Sequence, residues 1–214
     1  MNTAAALQNT TVIQHALAAH SLAVLRKADT PTGIFRWHSD QIAGLLIAEA
    51  TRDLATVEFE VQTPLATTRG HRLARPLVAV PVLRSGIALV GAIQRMLPDT
   101  VVGFIGMERD EETAKARLYY QKIPANLASS PVLVLDPMLA TGGSMSDTLH
   151  QVRKLGATDM TAICVVSAPE GIRRINEEHP GVRIFTAAVD HHLDHNWYIV
   201  PGLGDYGDRY FNTL

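Results

Sequence analysis

The sequence predicts an α/β fold with a mostly parallel sheet flanked by helices. The first observation is a set of short apolar runs, of the kind that fill buried strands, at 77–83, 101–105, 131–135 and 160–166. The second is a set of helical patterns between them, near 86–97, 144–155 and 169–179. Strands and helices therefore alternate, which indicates βαβ units with right-handed crossovers. The third is the length of 214 residues, which favours one domain because domains average about 150 residues.

Two elements are predicted before this alternating region. Ser39 and Asp40 suit the residue that caps a helix, and apolar residues follow at helical spacing, so we expect an amphipathic helix over about 39–54. Residues 57–61 alternate strictly between apolar and polar side chains, which is typical of a half-exposed strand. A turn signal at 62–64 ends this strand.

Composition and charge exclude several classes of protein. Hydrophobic residues make up 47% of the chain and charged residues 19%, below the usual ~25%, which argues against disorder. Nineteen basic and 21 acidic residues give a net charge of −2, so no long-range positive field can hold a nucleic acid. A small phosphorylated ligand is still allowed, because a few local groups are enough to bind it.

The remaining global features favour a cytoplasmic protein without a membrane partner. Cys164 is the single cysteine, so no internal disulfide can form, and its apolar neighbours predict a buried side chain rather than a nucleophile. No basic residue precedes Arg26, as one would in the charged start of a signal peptide. No apolar run approaches the ~18 residues that a membrane-spanning helix needs.

The loop after the run 131–135 contains the residues for binding a phosphate. Ligands of open α/β sheets bind at the carboxyl ends of strands, and this loop reads Asp136-Pro137-Met138-Leu139-Ala140-Thr141-Gly142-Gly143-Ser144. Its glycines let backbone N–H groups turn toward an anion, and the following helix N-terminus adds donors. Asp136 is placed for sugar hydroxyls or a metal-bound water. A plain glycine turn capped by Ser144 is the alternative, whereas the missing lysine after the glycines excludes a Walker A loop.

Two further segments contain arginines in predicted loops. Arg84 follows another buried strand in the run 81–86, where it can either bind a pyrophosphate through two hydrogen bonds or lie on the surface beside a turn. Arg109 lies in the charged run 106–113, which by itself is typical of a solvated segment leading into a strand. Neither segment by itself shows whether its arginine binds a ligand or lies on the solvent-exposed surface.

The C-terminal stretch is the least regular part of the chain. Residues 202–207 fit the dinucleotide pattern G-x-G-x-x-G, but only seven residues follow Gly207, too few for the βαβ unit that this pattern requires. A glycine-rich loop can instead bring main-chain donors and acceptors against a flat ligand such as uracil. In 190–195, three histidines and two aspartates suit a metal by composition, but neighbours on a strand point to opposite faces, so we expect an exposed loop rather than a zinc site.

Together these segments resemble the uracil phosphoribosyltransferases. The run 134–144 is similar to the family's motif for 5-phosphoribosyl 1-diphosphate (PRPP), and Pro137 stands where most type I phosphoribosyltransferases have a second acidic residue. Three other segments are similar to the family's pyrophosphate loop, flexible active-site segment and uracil-binding loop, in that order: 81–86, 106–113 and 198–211. The resemblance covers about residues 20–214.

The resemblance implies a type I phosphoribosyltransferase fold and the conversion of uracil and PRPP to UMP and diphosphate, a step of pyrimidine salvage. It implies one domain over 1–214, with a β-arm at 57–76, a base-recognition hood at 190–214 and an undiagnostic N-terminal segment at 1–19. It also implies Mg²⁺ carried by PRPP rather than by protein side chains alone, a homodimer or higher homo-oligomer, and GTP as an allosteric activator. Two alternatives stay open: transfer to another nucleobase, and a non-catalytic PRPP sensor, although a sensor that regulates transcription needs a basic face.

The resemblance further assigns individual residues. Those that would bind PRPP are Arg84, Arg109, Asp136, Pro137, Met138, Leu139, Ala140, Thr141, Gly142, Gly143, Ser144 and Asp205. Those that would contact uracil, mainly through the main chain, are Ile199, Gly204, Asp205 and Tyr206. Three of these residues would take part in catalysis: Asp136, Arg109 and Asp205. Alanine is common in the family at the position of Ser85, and alanine or phenylalanine at that of Tyr206.

Overall fold

The computed structural model describes residues 8–109, 116–125 and 127–213, with the backbone alone at 108–109 and 116–117. In this part of the chain the central sheet has nine strands: β1 (Thr10–Val12), β4 (Val78–Leu83), β5 (Val101–Val102), β6 (Phe104–Arg109), β7 (Ala116–Lys122), β8 (Pro131–Leu135), β9 (Met138–Leu139), β10 (Asp159–Ser167) and β11 (Arg183–Val189). Their order is β1-β11-β10-β8-β4-β6-β7, with β5 beside β4 and β9 beside β10. The pairs are parallel except for β6 with β7.

Helices and two hairpins complete the described part of the chain. The helices are α1 (Ala16–Arg26), α2 (Thr32–Ala50), α3 (Ile87–Met96), α4 (Gly143–Lys154), α5 (Pro169–Glu178) and α6 (Tyr206–Phe211), with a 3-10 turn at Leu127–Ser129. The hairpins pair β2 (Thr56–Gln62) with β3 (Thr67–Leu73) and β12 (His192–Leu193) with β13 (Ile199–Val200).

The predicted α/β class and its alternating core are confirmed. Three of the four apolar runs form single strands, β4, β8 and β10, and the run 101–105 forms β5 and the start of β6. The three helical patterns form α3, α4 and α5. Alternate side chains of β8 and β10 enter two separate hydrophobic clusters, one on each face of the sheet. Helices α1, α2, α3 and α6 cover one face, whereas α4 and α5 cover the other. Cys164 is fully buried in the second cluster, as expected.

The prediction for the first long helix was wrong at its start. Helix α2 begins at Thr32, directly after Pro31, and ends at Ala50, so Ser39 lies inside the helix and is buried. The part of the helix that the prediction missed lies on the same buried face as the rest. Its Phe35 is buried in the core, at helical spacing from the next buried residues. The true start, seven residues earlier, was hidden because Ser39 and Asp40 also suit a cap.

Several described elements have no counterpart among the predicted ones, among them β1, α1 and β11. Strand β1 is a three-residue edge strand of polar character, and α1 has a buried face made largely of alanine, serine and leucine. The hairpin of β2 and β3 lies off the central sheet, and nearly all of β2 is exposed rather than half of it. Among the described residues, no helix combines the length and apolarity needed to cross a membrane.

Candidate active site

Two of the predicted site loops meet because β4 and β8 are parallel neighbours. Pro81 is in register with Leu135, so both chains leave the sheet at the same edge. Gly86 allows this close approach, since a side-chain carbon there would lie 2.6 Å from the Val82 nitrogen and against the Leu135 carbonyl. The Ser85 hydroxyl then donates to Asp136 Oδ1 at 3.2 Å and joins the two loops.

Asp136 is a buried carboxyl group at this edge. The residue is 8% exposed, and its backbone N–H donates to the Ile163 carbonyl of β10 at 3.1 Å. Burial raises the pKa of Asp136 to about 7, because the loss of hydration outweighs the hydrogen bonds from the Met138 N–H and the Ser85 hydroxyl. A ligand that donates hydrogen bonds, or brings a cation, would therefore be favoured here.

The loop that follows ends in a set of partly buried amide donors at the start of α4. Gly142 caps the helix with φ of +77°, a conformation that favours glycine. The first helical hydrogen bond runs from the Ser146 N–H to the Gly142 carbonyl at 2.8 Å, so the amides before it have no partner inside the helix. Gly171 of α5 packs closely behind the loop, against the Ala140 carbonyl. The turn can thus bind an anion on its open side.

The predicted base loop, residues 202–205 of the predicted hood, is held in place by Arg26 and Arg209. Arg26 makes two hydrogen bonds to Asp190, at 2.6 and 2.8 Å, and donates a third to the Gly202 carbonyl at 2.7 Å. Asp190 also accepts from the Gly202 N–H at 2.8 Å. Arg209 donates to the Leu203 carbonyl at 2.6 Å. The main chain just before Gly204 is therefore fixed on both sides.

The loop leaves a short stretch of main chain open. Gly204 is exposed, has φ of +80°, and its main chain has no protein partner among the described residues. Asp205 is also exposed, and its Oδ1 accepts from the Asp208 N–H at 2.8 Å at the start of α6. Ile199 and the Tyr206 side chain are buried, so the Tyr206 ring is not available to a ligand.

The hood and the arginine loop touch each other. Arg84 Nη2 lies 3.3 Å from Asp208 Oδ1, and the Arg84 side chain is 63% exposed. A side-chain carbon at Gly207 would lie 3.9 Å from the Ser85 Cβ, in ordinary contact. The structure therefore brings Arg84, Asp136 and the hood to one edge. Arg109 ends β6 beside this edge, but its side chain and residues 110–113 lie outside the described part of the chain.

Several residues of this architecture were missed from the sequence. The segment 190–195 was expected to be an exposed loop, but Asp190 is 6% exposed and paired with Arg26 across 164 positions. Arg209 is buried and lies 4.5 Å from the centre of the Phe35 ring. Neither contact leaves a local pattern, because both partners come from distant parts of the chain.

The donors at this edge fit a magnesium ion that arrives with a polyphosphate. Within the described residues, no group of three or more histidine, cysteine, aspartate or glutamate side chains could hold a metal. Mg²⁺ usually keeps several waters and binds one or two carboxylates together with substrate phosphates. Asp205 is the accessible carboxylate for such an ion, whereas Asp136 is buried.

Comparisons with known proteins identify the family of the chain. A family model described as Uracil phosphoribosyltransferase matches residues 12–213. The uracil phosphoribosyltransferase of Streptococcus sanguinis is 47% identical over 203 residues, which cover 94% of this chain and 97% of that protein. The solved structure of the AQ2163 protein from Aquifex aeolicus has a TM-score of 0.90 and 35% identity, covering 94% and 97% of the two chains.

A more distant likeness concerns the fold alone. The purine phosphoribosyltransferase from Pyrococcus horikoshii has a TM-score of 0.51 at 18% identity, covering 72% of this chain and 85% of that one. The fold is that of the type I phosphoribosyltransferases. Within that class the chain belongs to the uracil phosphoribosyltransferase family, which confirms the resemblance of its motifs.

Proposed function

We propose that the protein transfers the phosphoribosyl group of PRPP to uracil, giving UMP and diphosphate. The observation that carries the proposal is the family match over 12–213, which includes every residue assigned to the site. In the reaction, a bond forms between uracil N1 and the anomeric carbon, and the bond from that carbon to diphosphate breaks. The N1 proton leaves to solvent or to diphosphate.

The phosphate-binding edge supports the binding of PRPP. The amide donors at 141–144 suit the 5′-phosphate, because they lie at a helix N-terminus and the long 3.4 Å bond from the Gly143 N–H to Thr141 Oγ1 is easily exchanged for an anion. Asp136 suits the ribose hydroxyls, which donate hydrogen bonds to a carboxylate that burial otherwise disfavours. Arg84 suits the diphosphate, with Arg109 as a second cation, since both would stabilise the charge that develops on the leaving group.

The hood supports the recognition of a flat base through main-chain groups. Gly204 is open between the fixed Gly202–Leu203 segment and α6, so its amide and carbonyl can face a ligand. Uracil presents one N–H between two carbonyl acceptors, a pattern that backbone groups match. Ile199 and Tyr206 would then contribute backbone contacts, since their side chains are buried.

Catalysis in this site would come from positioning and electrostatics. Within the described loop 202–205 the one titratable side chain is that of Asp205, which is assigned to PRPP or its metal rather than to proton transfer. Holding both substrates in line and stabilising the departing diphosphate are therefore the main contributions. Mg²⁺ bound to PRPP would supply further charge neutralisation, with Asp205 as the accessible protein carboxylate.

One assay separates this proposal from its two alternatives. The protein is supplied with PRPP, Mg²⁺ and one base at a time from a panel of pyrimidines and purines, and diphosphate release is followed. We expect release with uracil and none with purines. Release with a different base would indicate transfer to that base, and PRPP binding without release with any base would indicate a sensor.

We also propose that the protein is a homodimer or a higher homo-oligomer and that GTP activates it. The hairpin of β2 and β3 exposes Val57, Phe59 and Leu65, and a two-stranded hairpin is marginal without a covering surface. A second copy of the chain is the proposed cover, and sedimentation equilibrium should give a dimer or a multiple of it. A monomer at micromolar concentration would refute this, and added GTP in the uracil assay tests the proposed activation.

A further inference from the structure

The first residue of α6 carries a tyrosine side chain that enters the protein core. Tyr206 is 1% exposed, and its ring packs edge-on against Phe35 with 5.1 Å between ring centres. Its hydroxyl lies 2.5 Å from the Ser39 hydroxyl of α2, which is also fully buried. Burial raises the pKa of the Tyr206 phenol above its usual range, so the group stays neutral and keeps its hydrogen bond.

This buried contact is adjacent in sequence to the open part of the base loop. Gly204 and Asp205 are exposed, and Tyr206 follows them directly. Before Gly204 the loop is held by Arg26 at the Gly202 carbonyl and by Arg209 at the Leu203 carbonyl. After Asp205 the next side chain fixed to another element is that of Tyr206. The two exposed residues therefore lie between two fixed points.

We propose that Tyr206 is a positioning residue of the base site, which acts through its hydrogen bond to Ser39. The inference rests on the proposed function, since it assumes that the base contacts the main chain at 204–206. Arg209 anchors the later part of α6 to α1, and the Tyr206 bond anchors its first turn. The anchored first turn sets the direction in which Gly204 and Asp205 present their main-chain groups. The ring itself does not touch the base.

The expected effect on uracil binding follows from the fraction of molecules whose base loop has the orientation that binds the base. A ligand that binds one loop orientation loses apparent affinity in proportion to the fraction of molecules that hold this orientation. The net strength of an ordinary hydrogen bond corresponds to a factor of about 3 to 10 in an equilibrium. Loss of the bond lowers the loop equilibrium by this factor, so Tyr206→Phe should raise the KM for uracil by up to about the same factor.

The test uses Tyr206→Phe, Ser39→Ala and the double variant in the full-length protein. Tyr206→Phe keeps the ring against Phe35 and removes only the hydroxyl. We expect each single variant to raise the KM for uracil while the KM for PRPP stays within about twofold, a contrast that a general loss of stability does not produce. The double variant should resemble the single ones, because all three remove the same bond.

Tyr210→Phe is the matched control, on the same short helix. Tyr210 is half-buried and packs against Phe211, and its hydroxyl has no hydrogen bond among the described residues. It should leave both KM values unchanged. Unchanged uracil KM in Tyr206→Phe, or equal rises for uracil and PRPP, would overturn the inference. A wild-type protein that forms no UMP would instead refute the proposed function.

Discussion

Replacing Asp136 with asparagine should stabilise the ligand-free protein near pH 8 while abolishing the proposed activity. Asp136 is 8% exposed, and burial raises its pKa from the usual 3.8 to about 7. The folded chain therefore holds the Asp136 proton more tightly than the unfolded chain does. Between pH 4 and 7 the unfolded carboxyl group ionises first, so the wild-type protein loses stability over this range.

The magnitude follows from the two pKa values. The pKa of Asp136 rises from 3.8 in the unfolded chain to about 7 in the folded one. At about 1.4 kcal/mol for each pKa unit, this difference corresponds to about 4 kcal/mol in the free energy of unfolding. Asparagine has no charge to desolvate. The free energy of unfolding of Asp136→Asn should therefore match the wild type near pH 4 and exceed it by up to about 4 kcal/mol at pH 7 and above.

Urea unfolding at pH 4, 6 and 8, without PRPP or metal, measures this difference. Asp99→Asn is the matched control, because Asp99 lies exposed in the turn before β5. Its unfolding free energy should follow the wild type at each pH. A difference between Asp136→Asn and wild type that does not change with pH, or a variant less stable than wild type at pH 8, would refute the reasoning.

Two other predictions concern the contacts of the hood. Asp190→Asn leaves Arg26 with a neutral partner in a buried contact, so we expect a loss of about 2–3 kcal/mol in urea unfolding and a higher KM for uracil. Asp29 pairs with Lys27 on the surface, and a loss no larger than that of the control Asp29→Asn would contradict this. Asp208→Asn removes the carboxylate that pairs with Arg84, so titration calorimetry should show diphosphate binding tighter by about two- to fivefold at low salt; weaker binding would show that Asp208 supports Arg84 rather than competing for it.

The parallel core of the fold could be predicted because its signal is local. Buried strands such as 131–135 are continuous apolar runs, and the glycines and hydroxyls after them have a direct physical reason at a helix N-terminus. The predicted start of α2 was wrong because a local signal was misleading. Ser39 has the chemistry of a cap, but the fold uses its hydroxyl to bond Tyr206.

The support of the base loop could not be predicted because it depends on distant pairs. Asp190 looked like part of an exposed histidine-rich loop, and nothing near it in sequence indicates that Arg26 neutralises it. Arg209 lies in a glycine- and aspartate-rich segment, yet it is buried and donates to the Leu25, Leu203 and Lys27 carbonyls. Such contacts follow from the packing of α1 and α6 on the same face of the sheet.

The central claim is that this edge of the sheet joins uracil to the ribose phosphate of PRPP. Its most direct test is chromatographic detection of UMP after incubation of the protein with uracil, PRPP and Mg²⁺. The wild type and Asp99→Asn should form equal amounts of UMP, each with one diphosphate per UMP. Asp136→Asn should form at least a hundredfold less UMP, because loss of a single positioned polar group lowers the rate about 10²- to 10³-fold. Wild-type protein that consumes PRPP without UMP, or full activity in Asp136→Asn, would contradict the account.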